Sequence, residues 1–135
     1  MSSQAPLVHT LEKTVSGVST ANATDSFAIG EAPFAGTVTS ASYIPDAAST
    51  GDNTNKRTYT VVNKGQAGAG TTVVATLDLT TGNNLVAFDE KAFTLSVVAG
   101  ATTVAAGDVL ALVSTHAGTG LADPGGTVKV EISRS

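Results

Sequence analysis

The sequence predicts an all-β chain, an antiparallel β-sandwich of about eight strands. Three observations carry that expectation. Apolar residues alternate with polar ones over short stretches. Glycines and Asn/Asp clusters interrupt the chain at short intervals, and no helical apolar period persists. The palette is rich in Val, Ala, Leu, Thr and Ser with aromatics at 4%, and β-branched side chains suit a pleated, half-buried surface.

Residues 72–80 form the cleanest expected strand, with Val73, Ala75, Leu77 and Leu79 on one face and Val74, Thr76, Asp78 and Thr80 on the other. Residues 127–133 follow the same rule, with Val128, Val130 and Ile132 pointing one way. Phe93, Leu95 and Val97 give a third strand, and Tyr59 and Val61, between threonines, a fourth. Residues 37–44 have an ambiguous phase, because Val38 and Ala41 cannot share a face of a regular strand; a bulge near Ser40 reconciles them. Residues 7–18 and 26–29 complete the set, and residues 85–91 have room for one helical turn. The expected core is Leu77, Leu79, Phe93, Leu95, Val128, Val130 and Ile132.

Residues 109–113 differ, for Val109, Leu110, Ala111, Leu112 and Val113 are all apolar. A strand apolar on both faces is either covered on both sides or touches a partner; a buried helix turn is the weaker alternative, because Gly107-Asp108 starts the run and Gly118 ends it. The turns are glycine-rich, as at residues 65–70, 81–84 and 124–126, and a polar loop at residues 45–55 is expected at one end of the sandwich.

A length of 135 residues fits one domain, residues 1–135, with residues 1–6 as a loose tail. There are no cysteines, so packing and hydrogen bonds are expected to hold the fold without disulfides. The start lacks a basic segment followed by an apolar run, and no stretch is apolar enough to span a bilayer. The expectation is a soluble protein made in a cytoplasm, with no membrane partner. A net charge of −4 argues against a nucleic-acid partner. Lys56, Arg57 and Lys64 are close in sequence, but a solvated hairpin explains them better than a phosphate-binding patch. Charged residues are only 13% of the chain, which fits a protein that spends its life docked to other subunits.

The sequence offers little for catalysis, which needs converging titratable groups. His9 and His116 lie near opposite ends of the chain, no thiol is present, and no G-x-S-x-G elbow occurs. Residues 65–70 lack the Lys-Ser/Thr of a phosphate-binding loop. Asp46, Asp52, Asn53 and Asn55 have oxygen ligands but not calcium-loop spacing; Asx-turn capping is the ordinary reading. No metal, cofactor or enzymatic activity is expected, and a hydrolase built from Asp46, Asp52 and His116 has no support in the spacing.

The stretches AGTVTSASYIPDAASTG, NKRTYTVVNKGQAGAGTTVVATL and VAAGDVLALVSTHAGTGLADPGGTVKVEISR, spanning most of residues 32–134, resemble small structural proteins of tailed phages, the capsid decoration (cement) or head-fibre type. The resemblance implies a jelly-roll-like sandwich bound to the major capsid protein on the capsid exterior of a virion, after synthesis in a host bacterial cytoplasm. Such a protein stabilises the shell by binding energy alone. The alternative is a fibre or adhesion module that binds a host-surface glycan, against which the scarcity of aromatic platforms counts.

Residues 109–113 and the N-terminal segment 2–18 have more apolar capacity than one sandwich face needs. Capsid or subunit contacts are therefore expected at Leu7, Val8, Leu11, Val109, Leu110 and Leu112, with self-association as a homotrimer that hides the apolar strand and an N-terminal arm gripping the capsid. The competing reading makes residues 109–113 a central strand covered by the N-terminal segment of the same chain.

Overall fold

A computed structural model describes residues 7–18 and 20–135; the expected tail at residues 1–6 lies outside them. Ten strands follow in order: β1 (Val8–Val15), β2 (Asp25–Glu31), β3 (Gly36–Pro45), β4 (Lys56–Asn63), β5 (Thr72–Asp78), β6 (Lys91–Ala92), β7 (Thr94–Leu95), β8 (Thr103–Val104), β9 (Val109–Ala117) and β10 (Gly126–Arg134). The first sheet runs β1-β10-β3-β6, with β8 also on β3; the second runs β2-β9-β4-β5-β7. All pairings are antiparallel. Early strands pair with late ones, β1 with β10 and β2 with β9, so the chain wraps like one long folded hairpin. That is the strand order of a jelly roll, two Greek keys shared between two sheets.

The sheets enclose one apolar core. Val128, Val130 and Ile132 of β10 face Leu110 and Leu112 of β9, Tyr59 and Val61 of β4, and Leu77 and Leu79 at the end of β5. Period-two patterning therefore locates these inward faces correctly. The bulge expected near Ser40 is present: Glu131 pairs with Ser40 and Ile132 with Val38, leaving Thr39 as the extra residue. Val38 and Ala41 are both buried as a result.

A second bulge overturns the phase expected for β5. Val61 pairs with Ala75 and Val62 with Val73, so Val74 is the additional residue. The strand flips there: Val74 is 0% exposed, whereas Val73 is 41% exposed. The third expected strand also resolves differently. Lys91–Ala92 belongs to the first sheet and Thr94–Leu95 to the second. Between them Phe93 is buried, with its N–H donating to the Ala41 carbonyl at 2.8 Å. Having crossed the edge of the sandwich, the chain bonds once more to β5, through Ser96 N–H and the Val74 carbonyl at 2.8 Å, and then leaves it. Val97 is accordingly 99% exposed, and Leu95 is half-buried against the core. The single helical turn expected within residues 85–91 does not form. Leu85 pairs with Ser49, and a β-turn at Val86 to Asp89 follows.

The N-terminal segment is a strand, not a free arm, from Val8 onward. Its eight residues pair in unbroken register with β10, and Leu11 and Val15 enter the core. It lies in the first sheet, so it does not cover the outer side of β9 in the second.

The bulge in β5 makes a contrast that urea unfolding can measure. Val74→Ala removes two buried carbon groups and is expected to cost about 1.5–3 kcal/mol, whereas Val73→Ala stays within about 0.5 kcal/mol. Leu77→Ala, also at a buried position, is expected to cost about 2–5 kcal/mol.

Candidate functional site

Two features stand out from the apolar frame: a buried polar cluster at one end of the sandwich, and a marked difference between its two outer faces.

The cluster begins with Arg57 near the start of β4, which the alternation of that strand turns inward with Tyr59 and Val61. Its side chain is 0% exposed. A buried guanidinium must have its donors satisfied, since an unpaired buried charge is very costly. Nε donates to the Leu121 carbonyl at 2.7 Å, Nη2 to the Ala21 carbonyl at 3.0 Å, and Nη1 to the Ala23 carbonyl at 3.0 Å and Ser114 Oγ at 2.8 Å. These carbonyls belong to two irregular loops, β1–β2 and β9–β10. The same loops bond each other directly, Val18 N–H to the Asp123 carbonyl at 2.8 Å and Asp123 N–H to the Val18 carbonyl at 2.9 Å. Their backbones approach so closely that a Cβ on Gly120, which has φ +71°, would collide with the Ala21 carbonyl.

Asp123 supplies the opposite charge. Its Oδ1 accepts from Tyr59 OH at 2.9 Å, Tyr43 OH at 3.2 Å and Gly125 N–H at 3.0 Å, and its Oδ2 accepts from Ser114 Oγ at 3.4 Å. Ser114 thus lies between the guanidinium and the carboxylate. Tyr43 comes from β3 of the first sheet and Tyr59 from β4 of the second, so the carboxylate fastens the two sheets together. Their rings meet at 4.8 Å and 59°. Burial, with the Asp123 charge beside them, raises both phenol pKa values far above the ordinary 10.0. Every member of the cluster is buried in the folded chain, so its chemistry there is structural: it binds loops and sheets, not a solute.

Sequence reasoning misses this cluster. It groups Arg57 with Lys56 and Lys64 in a solvated hairpin, whereas only the lysines fit that reading. Lys56 pairs with Asp78 at 2.7 Å on the outer side of the sheet. The available signal is the phase of β4, which puts Arg57 on the Tyr59 side. Asp123 gives no signal, because it sits in an irregular segment.

The other sequence candidates are scattered. Asp52 Oδ1 accepts from Thr54 N–H at 2.7 Å and Asn55 N–H at 2.8 Å, an Asx turn that lowers its pKa. Asn53 exchanges hydrogen bonds with Thr81, and Asn55 Oδ1 accepts from Thr119 N–H. Asp46 is exposed beyond the end of β3. His9 lies on exposed β1, its ring edge-on to Phe34 at 6.4 Å, while His116 is exposed on β9. Among the described residues no group of three or more His, Cys, Asp or Glu is placed to hold a metal. Of the expected contact residues, Leu11, Leu110 and Leu112 are in the core. Their inward phase removes them from any surface a partner reaches. Leu7 and Val8 are exposed, and Val109 is half-buried.

The outer faces differ in kind. Cross-strand partners share a face, so the outer side of the first sheet carries Glu12 opposite Lys129, Thr10 opposite Glu131, and Ser42 beside Lys129. The outer side of the second sheet carries Ala28 and Val62 flanking Ala111, with Ser26 and Thr60 flanking Val113 and with Val73 beside Val62. Charges there lie toward the strand ends, at Glu31, Lys56 and Asp78. The doubly apolar strand has one face in the core and the other at the uncharged centre of this surface, where Ala111 and Val62 are themselves buried.

Two outcomes are expected of the cluster. Arg57→Met should cost about 3–5 kcal/mol in urea unfolding, since it leaves Asp123 as an uncompensated buried charge, and Arg57→Lys should not restore the loss, since one ammonium cannot reach all four acceptors. Tyr43 and Tyr59 are the only tyrosines, so phenolate absorbance reports on the cluster alone. With folded pKa values raised, their stability contribution is complete below about pH 10 and declines as pH rises past the unfolded value. Phenolate absorbance should therefore appear together with unfolding and not before it.

No family model, curated protein or solved structure matches this chain.

Proposed function

We propose that this chain is a virion structural protein of a tailed phage, which binds the outside of the capsid and stabilises the shell. The observation that carries the reading is the outer face of the second sheet, whose centre is uncharged, with Ala28 and Val73 exposed and Val113 half-buried around the buried Val62 and Ala111, on a sandwich whose other outer face is charged. Surfaces of this kind belong to interfaces, because charge is depleted at the centre of protein contacts. The sequence resemblance over residues 32–134 supplies the particle. A ligand of the assembled shell that does not bind its free subunits favours assembly by mass action, without any reaction. The partners in this reading are the major capsid protein and two further copies of the chain. The homotrimer is built on the outer side of β9, through the half-buried Val109 and Val113, with the exposed Leu7 and Val8 as accessory contacts. Closed three-fold symmetry hides the face and ends its growth.

The glycan-binding alternative has one specific observation in its favour, the ring of Phe88, which is 78% exposed and available for a sugar to stack on.

The protein is expected to co-purify with intact particles in stoichiometric copy number and to raise the temperature at which undecorated shells fall apart. Light scattering should give three times the chain mass. Val113→Lys should return that mass to one chain while the circular dichroism stays β-type. A monomer at all concentrations, both in solution and on the particle, would remove the trimer.

A further inference from the structure

We infer that the turn carrying Phe88 is an anchor for an apolar socket bordered by lysine and arginine on a protein surface and, resting on the shell-binding reading above, that the socket belongs to a shell subunit. The turn is closed by Asp89 N–H donating to the Val86 carbonyl at 3.1 Å, and Phe88 is its third residue, with φ +62°. That position calls for glycine or asparagine, and among the described non-glycine residues Phe88 alone has positive φ. A bulky side chain in this conformation is strained. The folding frame gains nothing visible from it, because the ring is 78% exposed and Val86 beside it is 57% exposed. Strain combined with exposure marks a side chain kept for contact.

The turn is firmly held. Phe88 N–H donates to the Pro45 carbonyl at 2.8 Å, and Leu85 and Ser49 exchange backbone bonds at 2.8 and 3.1 Å just before it. A ring presented on a fixed backbone loses little freedom on binding, and aromatic anchors set in pockets dominate protein interfaces.

Charge identifies the socket. Exposed Asp89 follows Phe88 directly, and exposed Asp46 follows Pro45, whose carbonyl accepts from Phe88 N–H. Among the described residues the ion pairs are Lys56 with Asp78 and Lys129 with Glu90, so Asp46 and Asp89 meet no cation of their own chain there. A second copy of this acidic turn, or an anionic surface, would be repelled. A basic rim around an apolar pocket complements it. The turn hangs from the end of β3 in the first sheet, whereas the uncharged face belongs to the second. A shell contact through the turn therefore does not compete with the trimer contact on that face.

The experiment uses the full chain and purified undecorated shells, with affinity read by co-sedimentation, melting temperature read alongside, and a glycan array run in parallel. Phe88→Gly and Phe88→Asn both suit positive φ. Each is expected to keep or raise the melting temperature while weakening shell binding about 10–100-fold. Asp46→Asn with Asp89→Asn should weaken co-sedimentation most at low salt, where charge is least screened. If the unchanged protein does not bind shells, the shell-binding reading fails and takes the anchor with it. If it binds and the Phe88 variants bind equally well, the anchor alone is wrong. A glycan-array signal lost in those variants, with shell binding intact, would make the turn a sugar platform and overturn the socket.

Discussion

The arrangement depends on the buried charge of Arg57 being answered on every side. A sandwich closes its middle with apolar side chains, but its ends are loops, and loops leave carbonyls with no strand to receive them. At the end where β4 begins, one guanidinium takes up three such carbonyls and Ser114 Oγ. Asp123 balances it from the far side of that serine and in the same place joins a tyrosine from each sheet. Hydrogen bonds to charged groups contribute roughly 1.5–3 kcal/mol each. Breaking the set costs more than losing any one of them, because either charge left alone in the interior is expensive. The two loops are consequently fixed without regular secondary structure.

That fixation explains how a chain with so few aromatics keeps a defined interior. Val, Leu and Ala interdigitate without strong directional preference, and an aliphatic core tolerates rearrangement more readily than a hydrogen-bonded one. Here the direction comes from the polar cluster. The phenols of Tyr43 and Tyr59 have one acceptor, and the two sheets must pack in one relative position for both to reach it.

The sandwich is legible in the sequence because alternation is a local signal. β10 and β4 show their inward faces in a few residues each, and the Thr39 bulge is recoverable because Val38 and Ala41 conflict in phase. The bulge at Val74 is not, since Val73 and Val74 are equally apolar and either could face the core. Val97 misleads for a related reason: period-two spacing persists in a chain that has already left the sheet. The apolar run at Val109 to Val113 is conspicuous, but composition alone does not separate its inward half, Leu110 and Leu112, from a contact surface. The polar cluster is out of reach, because its members lie in separate segments and meet only through the fold. The Phe88 turn is equally hidden: its local composition fits a helical turn, whereas the observed turn is held by backbone bonds to Ser49 and Pro45, residues far back in the chain.

The pairing of β1 with β10 has a consequence for how the chain is made. Val8 lies opposite Ser133, and Val15 opposite Gly126, so β1 finds its partner only when all the strands between them have been synthesised. β10 is also the link between β1 and β3. Until it leaves the ribosome, the first sheet has no centre, and the early strands wait with open edges and half a core. Contacts of such sequence separation fold slowly and expose aggregation-prone surface in the interval. The two threonines and one carboxylate on the outward side of β1, Thr10, Thr14 and Glu12, give that waiting strand a polar face.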